Sequence, residues 1–318
     1  MAQRPPIKIG LIGLGKMGQN HLRVLSLLKS VELVFVYDLN TKAAEQLGET
    51  YSVQTHVDLK QLLPQVDAVV ICTPTVTHGD YIRIAAGYVK NIFVEKPMAD
   101  SLEEAQALSI FAAEHNLKIQ VGFIERFNPA VQQLKSVLDK SAQVISIDFT
   151  RTNKLSARIT DVDVVTDLMI HDIDLALYLN GPVRSVAAHG VAQGQMIDFA
   201  SALLTHQNGR FSRIQASRIT EKKIRTIQAT CVDMYVDCEL VRKELLINRQ
   251  SEIQQENGGP YTISAIEQTI EVRQQEALLT ELQTFVAFCQ AQDVEVPIAA
   301  DGLRAADICD QIQKAVRQ

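Results

Sequence analysis

Ile7-Lys8-Ile9-Gly10-Leu11-Ile12-Gly13-Leu14-Gly15-Lys16-Met17-Gly18 is the stretch from which the fold of this chain can be read. Its apolar run, Ile7–Ile12, reads as a buried strand. Gly13-x-Gly15-x-x-Gly18 follows at once and opens a helix predicted over Met17–Leu28. In that context the first glycine permits a tight turn, the second lets a pyrophosphate approach the backbone, and the third lets helix and strand pack closely. The helix N-terminus offers unpaired N–H groups to an anion. Asp38 lies 20 residues beyond Gly18, at the end of a second predicted strand, Val31–Tyr37. A carboxylate there accepts hydrogen bonds from ribose hydroxyls and repels a 2′-phosphate, so the turn is read as a site for NAD in preference to NADP.

Outward from this turn, strand and helix patterns alternate. Helix is expected over Thr41–Glu49, strand over Ala68–Cys72, helix over Thr77–Tyr88, strand over Asn91–Val94, helix over Leu102–His115 and strand over Lys118–Val121. Such alternation predicts an α/β Rossmann domain, a parallel doubly wound sheet, over residues 1–122. The character changes after Gly122. A helix over Pro129–Leu138, a strand over Val144–Thr150 and a polar stretch from Arg151 to Arg158 precede a helix over Thr166–Leu179. From Val183 to Ile247 successive strands are expected, with turns at Gly194, Asn208-Gly209 and Glu221-Lys222. This predicts an α+β domain with a large, mostly antiparallel sheet over 123–318, serving substrate binding and oligomerisation. Asn248–Thr262 reads as a loop, and helices at about 274–290 and 300–316 close the chain, the last able to pack back on the first domain. Apolar alternation at Val183, Val186, Leu203, Phe211, Ile214 and Ile227 is assigned to the sheet face away from the helices, a natural surface for a homodimer or homotetramer.

Composition narrows the function. The 318 residues are 47% apolar and 21% charged, enough for two packed cores, with a formal charge of −6. An acidic chain lacks the electrostatic footprint of a nucleic-acid binder. Five cysteines, Cys72, Cys231, Cys238, Cys289 and Cys309, form no Cys-x-x-Cys pair, which predicts reduced thiols, neither a zinc site nor a disulfide framework. With no apolar stretch near 18 residues and no signal-like start, a cytoplasmic enzyme without membrane partners and without a metal is expected.

Two further clusters carry chemistry. Glu95-Lys96-Pro97 follows the buried run Asn91–Val94, which sets a cation at a strand end beside a carboxylate. On the helix Thr166–Leu179, about 100° per residue brings Asp167, His171, Asp174 and Tyr178 onto one stripe of an otherwise apolar cylinder. A buried helix of this kind turns its polar stripe toward a polar cavity or toward paired groups. Asp167 and His171, one turn apart, support one another, while Asp172 falls off the stripe and is expected to interact locally.

The order and spacing of these motifs, with Thr73-Pro74 followed by His78, resemble the Gfo/Idh/MocA superfamily of nicotinamide-dependent sugar and cyclitol oxidoreductases over essentially the whole chain. Val121-Gly122-Phe123-Ile124-Glu125-Arg126-Phe127-Asn128-Pro129 and the run from Arg158 to Asp174 are similar to the UDP-N-acetylglucosamine 3-dehydrogenase branch. That branch usually carries Gly where this chain has Asp163. The resemblance implies NAD held by Gly13, Gly15, Lys16, Met17, Gly18, Asp38, Thr73, Pro74, His78, Glu95 and Lys96. It implies His171 as general base, Lys96 as hydrogen-bond donor to the same hydroxyl, and Asp167 orienting His171 or binding a neighbouring hydroxyl. Arg126, Asn128, Arg151 and Arg158, with Asp167 and His171, are the substrate candidates; each Arg equally suits a surface salt bridge. The expected reaction is oxidation of a ring hydroxyl of a UDP-N-acetylglucosamine-like sugar nucleotide at C3 to a ketone. The alternatives are a free sugar or a cyclitol such as myo-inositol as substrate, an NAD-dependent glycosidase, and a non-catalytic nicotinamide-binding sensor.

Overall fold

The structure is a computed structural model that describes residues 5–153, 162–194, 196–254 and 262–318. The chain divides into two compact units, Met1–Ile124 with Glu276–Asp307, and Glu125–Gln275 with Ile308–Gln318.

In the first unit the elements run β1 (Ile7–Ile12), α1 (Lys16–Leu27), β2 (Val31–Tyr37), α2 (Thr41–Tyr51), α3 (Leu59–Leu62), β3 (Ala68–Ile71), α4 (His78–Ala86), β4 (Asn91–Glu95), α5 (Leu102–Glu114) and β5 (Lys118–Gly122). The strands form one parallel sheet in the order β2-β1-β3-β4-β5. Strand order reverses direction at β1, so the crevice beyond the C-terminal ends of β1 and β3 is where such a sheet binds ligands. The short turn of helix α3, capped by the Asp58 carboxylate on the Lys60 amide at 3.0 Å, escaped the sequence reading because four residues carry no helical period.

Strand parity decides what lies beneath that crevice. Phe93 and Glu95 are two residues apart on β4 and project to the same face. Phe93 meets His21 of α1 edge-on, with ring centroids 5.2 Å apart, and Phe285 at 5.6 Å. Phe285 belongs to α8 (Ala277–Cys289), whose Leu278, Leu282, Phe285 and Val286 form a buried helical stripe. That stripe closes over the sheet beside α1, so α8 counts with the first unit although it follows the second unit's sheet in the chain. Order from the N- to the C-terminus alone, with a cut after Gly122, gives a different division.

The second unit contains α6 (Pro129–Leu138), β6 (Val144–Thr152), α7 (Ile170–Asn180), then β7 (Val183–Gln193), β8 (Met196–His206), β9 (Phe211–Ser217), β10 (Ile224–Cys231), β11 (Met234–Glu239), β12 (Glu244–Gln254) and β13 (Thr262–Ile270). Helix α9 (Ala299–Arg317) gives its residues from Ile308 onward to this unit. The eight strands lie in the order β13-β12-β11-β10-β6-β9-β8-β7, and every neighbouring pair is antiparallel except β6 with β9. Part of the expected loop at 248–262 is therefore strand, since β12 continues to Gln254. Polar side chains on a strand alternating between faces mislead a reading by composition.

The apolar alternation proposed for an open sheet face mixes two faces. Ile214 and Ile227 are fully buried, and Val186 stands opposite buried Leu204 on the packed side. Leu203 and Phe211, 43% and 37% exposed, are on the open side. No helix among the described residues is long and apolar enough to cross a membrane.

Candidate active site

The glycine turn has the backbone its sequence predicts. Gly13 sits at φ +93°, where a side chain is strained, and an added Cβ would stand 2.7 Å from the backbone of Cys72 and Thr73. A Cβ on Gly18 would lie 1.9 Å from the Gly13 carbonyl oxygen, so helix and turn can meet only without it. Gly15 differs, because nothing approaches within 4 Å of its missing Cβ. Gly15 also caps α1 without a side-chain hydrogen bond, and the first turn of α1 carries no acid. Open space, uncapped N–H groups and a helix dipole without a counter-charge together fit a pyrophosphate.

Asp38 follows β2 and does two things. Its carboxylate accepts the Leu14 amide at 2.7 Å and the Asn40 amide at 2.8 Å, which ties the end of β2 to the glycine turn. Each carboxylate oxygen retains capacity for another donor, so ribose hydroxyls remain acceptable partners. The cleft that opens here holds about 620 Å³ and is lined by Gly13, Gly15, Lys16, Met17, Asp38, Thr73, Pro74, His78, Glu95 and Lys96, all expected from the sequence. Tyr37, Thr77 and Tyr81 also line it and were missed. Tyr37 and Tyr81 meet edge to face at 6.4 Å, forming an aromatic wall next to Asp38.

His78 reaches the cleft but is committed to the backbone. It is 1% exposed, its Nδ1 is 2.9 Å from the Pro97 carbonyl oxygen and its Nε2 is 2.9 Å from that of Thr73. Burial lowers its pKa against the raising effect of those carbonyls. The ring joins the turn after β3 to the turn after β4, a bracing position for the cleft floor.

Glu95 has a partner that the sequence reading missed. Because it shares a face with Phe93, its carboxylate meets His21, with Oε1 2.7 Å from Nε2, while Oε2 accepts the Lys96 amide at 3.2 Å. Burial pushes the Glu95 carboxyl up, but the His21 hydrogen bond and the charges of His21 and Lys96 outweigh it and hold it below the ordinary carboxylate value. His21 is fully buried. A sequence signal existed: Gly18, His21, Leu22 and Leu25 fall on the buried face of α1 at helical spacing. Cys72 lies close by, and ligand atoms of His21, Cys72 and Glu95 fall within 4.8 Å of one another. A cation there would have to break the 2.7 Å His21–Glu95 contact and deprotonate a thiol that burial pushes well up, so the trio is better suited to hydrogen bonding than to metal ligation.

In the second unit, Asp167 and His171 are partly exposed where a π-helical turn, Val165–Met169, runs into α7. Asp163 begins this turn. Its Oδ1 accepts the amides of Val165 at 3.1 Å and Thr166 at 3.0 Å, and its Oδ2 accepts from Gln313 at 2.9 Å and Arg317 at 3.3 Å. The carboxylate standing where a glycine was expected is a helix cap, and it fixes the start of the segment that carries Asp167 and His171.

The rest of the polar stripe is occupied. Arg126 donates through Nε and Nη2 to Asp174 at 2.9 and 2.6 Å, and its guanidinium lies 4.8 Å from the Tyr178 ring centre. Arg151 is 1% exposed and donates twice to Asp172, at 2.9 and 2.8 Å, and once to Glu125 at 2.8 Å. Burial lowers the Arg151 pKa, but Asp172 and Glu125 more than reverse this, so it stands above its ordinary value. Asn128 caps α6, accepting the Ala130 amide at 3.1 Å and donating to Glu125 at 3.1 Å. Arg126, Asn128 and Arg151 are thus bonded within the fold, and one expectation is corrected: Asp172 partners a strand residue 21 positions away, not a local one. Arg158 lies outside the described residues.

A five-stranded doubly wound sheet with an anion-ready glycine turn, an acid after β2 and a lysine in the same cleft defines a dinucleotide-dependent oxidoreductase. Residues 7–123 match a model described as the oxidoreductase family with NAD-binding Rossmann fold, and residues 145–232 match the GFO/IDH/MocA C-terminal domain. The chain belongs to the GFO/IDH/MocA oxidoreductase family, and it is an NAD-dependent dehydrogenase of the sugar type, acting on CH–OH groups. Among its relatives, UDP-N-acetylglucosamine 3-dehydrogenase of Acidithiobacillus ferrooxidans is 29% identical over 93% of this chain and 92% of its own. The scyllo-inositol 2-dehydrogenase (NAD(+)) of Bacillus subtilis is 33% identical over 67% of each chain. A solved structure of the A. ferrooxidans enzyme matches with a TM-score of 0.88 at 28% identity, covering 98% of both chains.

Proposed function

We propose that the protein oxidises the C3 hydroxyl of UDP-N-acetylglucosamine, or of a closely similar UDP-sugar, to a ketone. The observation that carries a dehydrogenase reading is that Lys96 lines the same cleft as the glycine turn and Asp38. Near full-length similarity to the A. ferrooxidans enzyme supports the nucleotide sugar. Bound NAD supplies the hydride acceptor. Gly15 and the N-terminus of α1 bind its pyrophosphate, and Asp38 selects a free 2′-hydroxyl. Lys96 donates a hydrogen bond to the reacting oxygen and stabilises its alkoxide character. His171 takes the hydroxyl proton as general base, and Asp167 orients the ring or binds the adjacent hydroxyl. Glu95 is a positioning residue, held by His21 and bonded to the Lys96 amide. The reading places the enzyme in the cytoplasm, in line with five cysteines that form no disulfide among the described residues, and gives it a homo-oligomeric state built on the second unit's sheet.

A cyclitol substrate is the second reading, favoured because Arg126 and Arg151 are already bonded to carboxylates and because an inositol dehydrogenase is among the relatives. Reduced-nicotinamide absorbance with UDP-N-acetylglucosamine, N-acetylglucosamine and myo-inositol as substrates separates them. Turnover of the UDP-sugar at a kcat/KM at least about a hundredfold above both neutral compounds supports the first reading. Equal or better turnover of myo-inositol overturns it.

A further inference from the structure

Among the described residues of the second unit, Arg225 is a half-buried arginine without a side-chain hydrogen bond. Arg225 is the second residue of β10 and stands directly opposite Arg151 of β6. Residues opposite one another in an antiparallel pair project to the same face, so Arg225 faces the side that carries α7, where Arg151 meets Asp172. Its surroundings differ sharply from those of Arg151. The Arg151 guanidinium makes three hydrogen bonds to carboxylates. That of Arg225 makes none among the described residues: its ion-pair contact with Glu125 is 3.6 Å long, and its Nε is buried with no hydrogen-bond partner. Glu125 is held closer by two other donors, Arg151 at 2.8 Å and Asn128 at 3.1 Å, than by Arg225.

The side chain is nevertheless 31% exposed, so one edge of the guanidinium faces solvent while the other faces the buried network. Burial and the like charge of Arg151 pull its pKa down, and the carboxylates of Glu125, Asp172 and Asp167 oppose them. Because Arg151, directly opposite, bonds Asp172 of α7, Arg225 lies on the sheet face covered by the helix that carries His171. A half-buried guanidinium with unsatisfied donors and an open edge lacks a planar oxyanion able to take two parallel N–H bonds.

We infer that Arg225 binds a phosphoryl group of the substrate and is the anion-recognition residue that Arg126 and Arg151 were expected to be. The inference rests on the proposed nucleotide-sugar reading and deepens it: a neutral cyclitol has no group that matches this guanidinium, whereas the diphosphate of a UDP-sugar does. Arg225 would act in binding and discrimination, with the chemical step left to Lys96 and His171.

The test compares the full-length parent with Arg225→Met and Arg225→Lys, each loaded with NAD. UDP alone is titrated by calorimetry, and KM and kcat are measured for UDP-N-acetylglucosamine. Thermal melting and NAD titration show whether each variant is folded; should Arg225→Met fail there, Arg225→Lys keeps the charge and still loses the two-pronged geometry. Loss of a charged bidentate contact should raise Kd for UDP and KM for the UDP-sugar by about ten- to a hundredfold in Arg225→Met, with a smaller rise in Arg225→Lys, while kcat changes far less than KM. Unchanged Kd and KM in folded variants overturn the inference and leave the nucleotide-sugar reading standing. If the parent binds neither UDP nor the UDP-sugar, that reading itself fails, and glucose 6-phosphate then decides: binding that depends on Arg225 keeps the anion role, and binding that ignores Arg225, or no binding, ends it.

Discussion

Arg151→Met separates a cation that builds the fold from one that binds a ligand. Methionine retains much of the stem's length but deletes three hydrogen bonds, two to Asp172 and one to Glu125. Asp172 is 2% and Glu125 7% exposed, so neither can recruit much water in exchange. Arg225, 3.6 Å from Glu125, shields that carboxylate in part, and Asp172 bears most of the loss. Breaking a buried ion pair by removing one partner costs about 3–5 kcal/mol. At roughly 2–4 °C per kcal/mol for a unit of this size, the second unit's melting midpoint should fall by about 6–20 °C in scanning calorimetry. The double variant Arg151→Met/Asp172→Leu should regain more than half of the loss, because an apolar pair is commonly no worse than the buried ion pair it replaces.

The deficit should also depend on pH. Burial pushes Glu125 up, but Arg151 and the other donors outweigh it and hold its carboxyl low, so its contribution is present above the unfolded-state value and is lost as pH falls through the folded one. Asp172 has the opposite sign. Burial raises it more than Arg151 lowers it, and its contribution is lost as pH rises through its raised folded value. Removing the guanidinium drives both carboxyls upward, which penalises their charged forms alone. The gap between parent and Arg151→Met should therefore be widest near neutrality and narrow as falling pH protonates first the variant's raised carboxyls and then the parent's. A variant that melts within about 2 °C of the parent at neutral pH while showing a raised KM for sugar would refute this reasoning and restore Arg151 to the substrate site.

Four other outcomes are expected. Asp38→Ala should lower the ratio of kcat/KM for NAD over NADP by at least about tenfold, and an unchanged ratio would remove the carboxylate from cofactor choice. Gly18→Ala, whose Cβ would sit 1.9 Å from the Gly13 carbonyl oxygen, should weaken NAD binding by more than about tenfold in a fluorescence titration. Lys96→Met and His171→Ala should each lower kcat by about a hundredfold or more with NAD affinity largely kept, and near-parental turnover in either excludes that side chain from the chemistry. His21→Leu deletes the hydrogen bond that holds the Glu95 carboxyl low; its pKa should rise and the acidic limb of kcat/KM should move to higher pH, whereas His21→Gln, which can still donate, should restore much of the parental profile.

What could be read from the sequence was local. The strand Ile7–Ile12, the glycine turn and Asp38 are close in the chain, and each glycine's task follows from backbone geometry within a few residues. The helix over Pro129–Leu138 was legible for the same reason, with Asn128 as cap and Pro129 in the first turn. What failed required tertiary register. Arg126 finds Asp174 48 positions on and Arg151 finds Asp172 21 positions on, and no periodicity within either segment announces the partner. Arg225 faces α7 only because β10 pairs with β6 in one register and not the next; a shift of one residue would turn it to the other face. His21 stood between these cases. Its place on a helix face was readable, but its pairing with Glu95, 74 positions away, depended on which side of β4 carries Phe93.

Asp163 shows how a departure from a family pattern changes meaning once its contacts are known. From the sequence it is a carboxylate where the UDP-N-acetylglucosamine 3-dehydrogenase branch usually carries Gly. Its carboxylate is 6% exposed and turned onto two amides of its own segment and two donors from α9. A glycine at this position could supply neither the cap nor the tie to α9, and Asp163→Ala should cost about 1 kcal/mol through the cap alone. Those four donors hold the carboxylate within the fold of the second unit. On the inference drawn for Arg225, the choice between a UDP-sugar and a cyclitol turns on that guanidinium, whose Nε has no hydrogen-bond partner among the described residues.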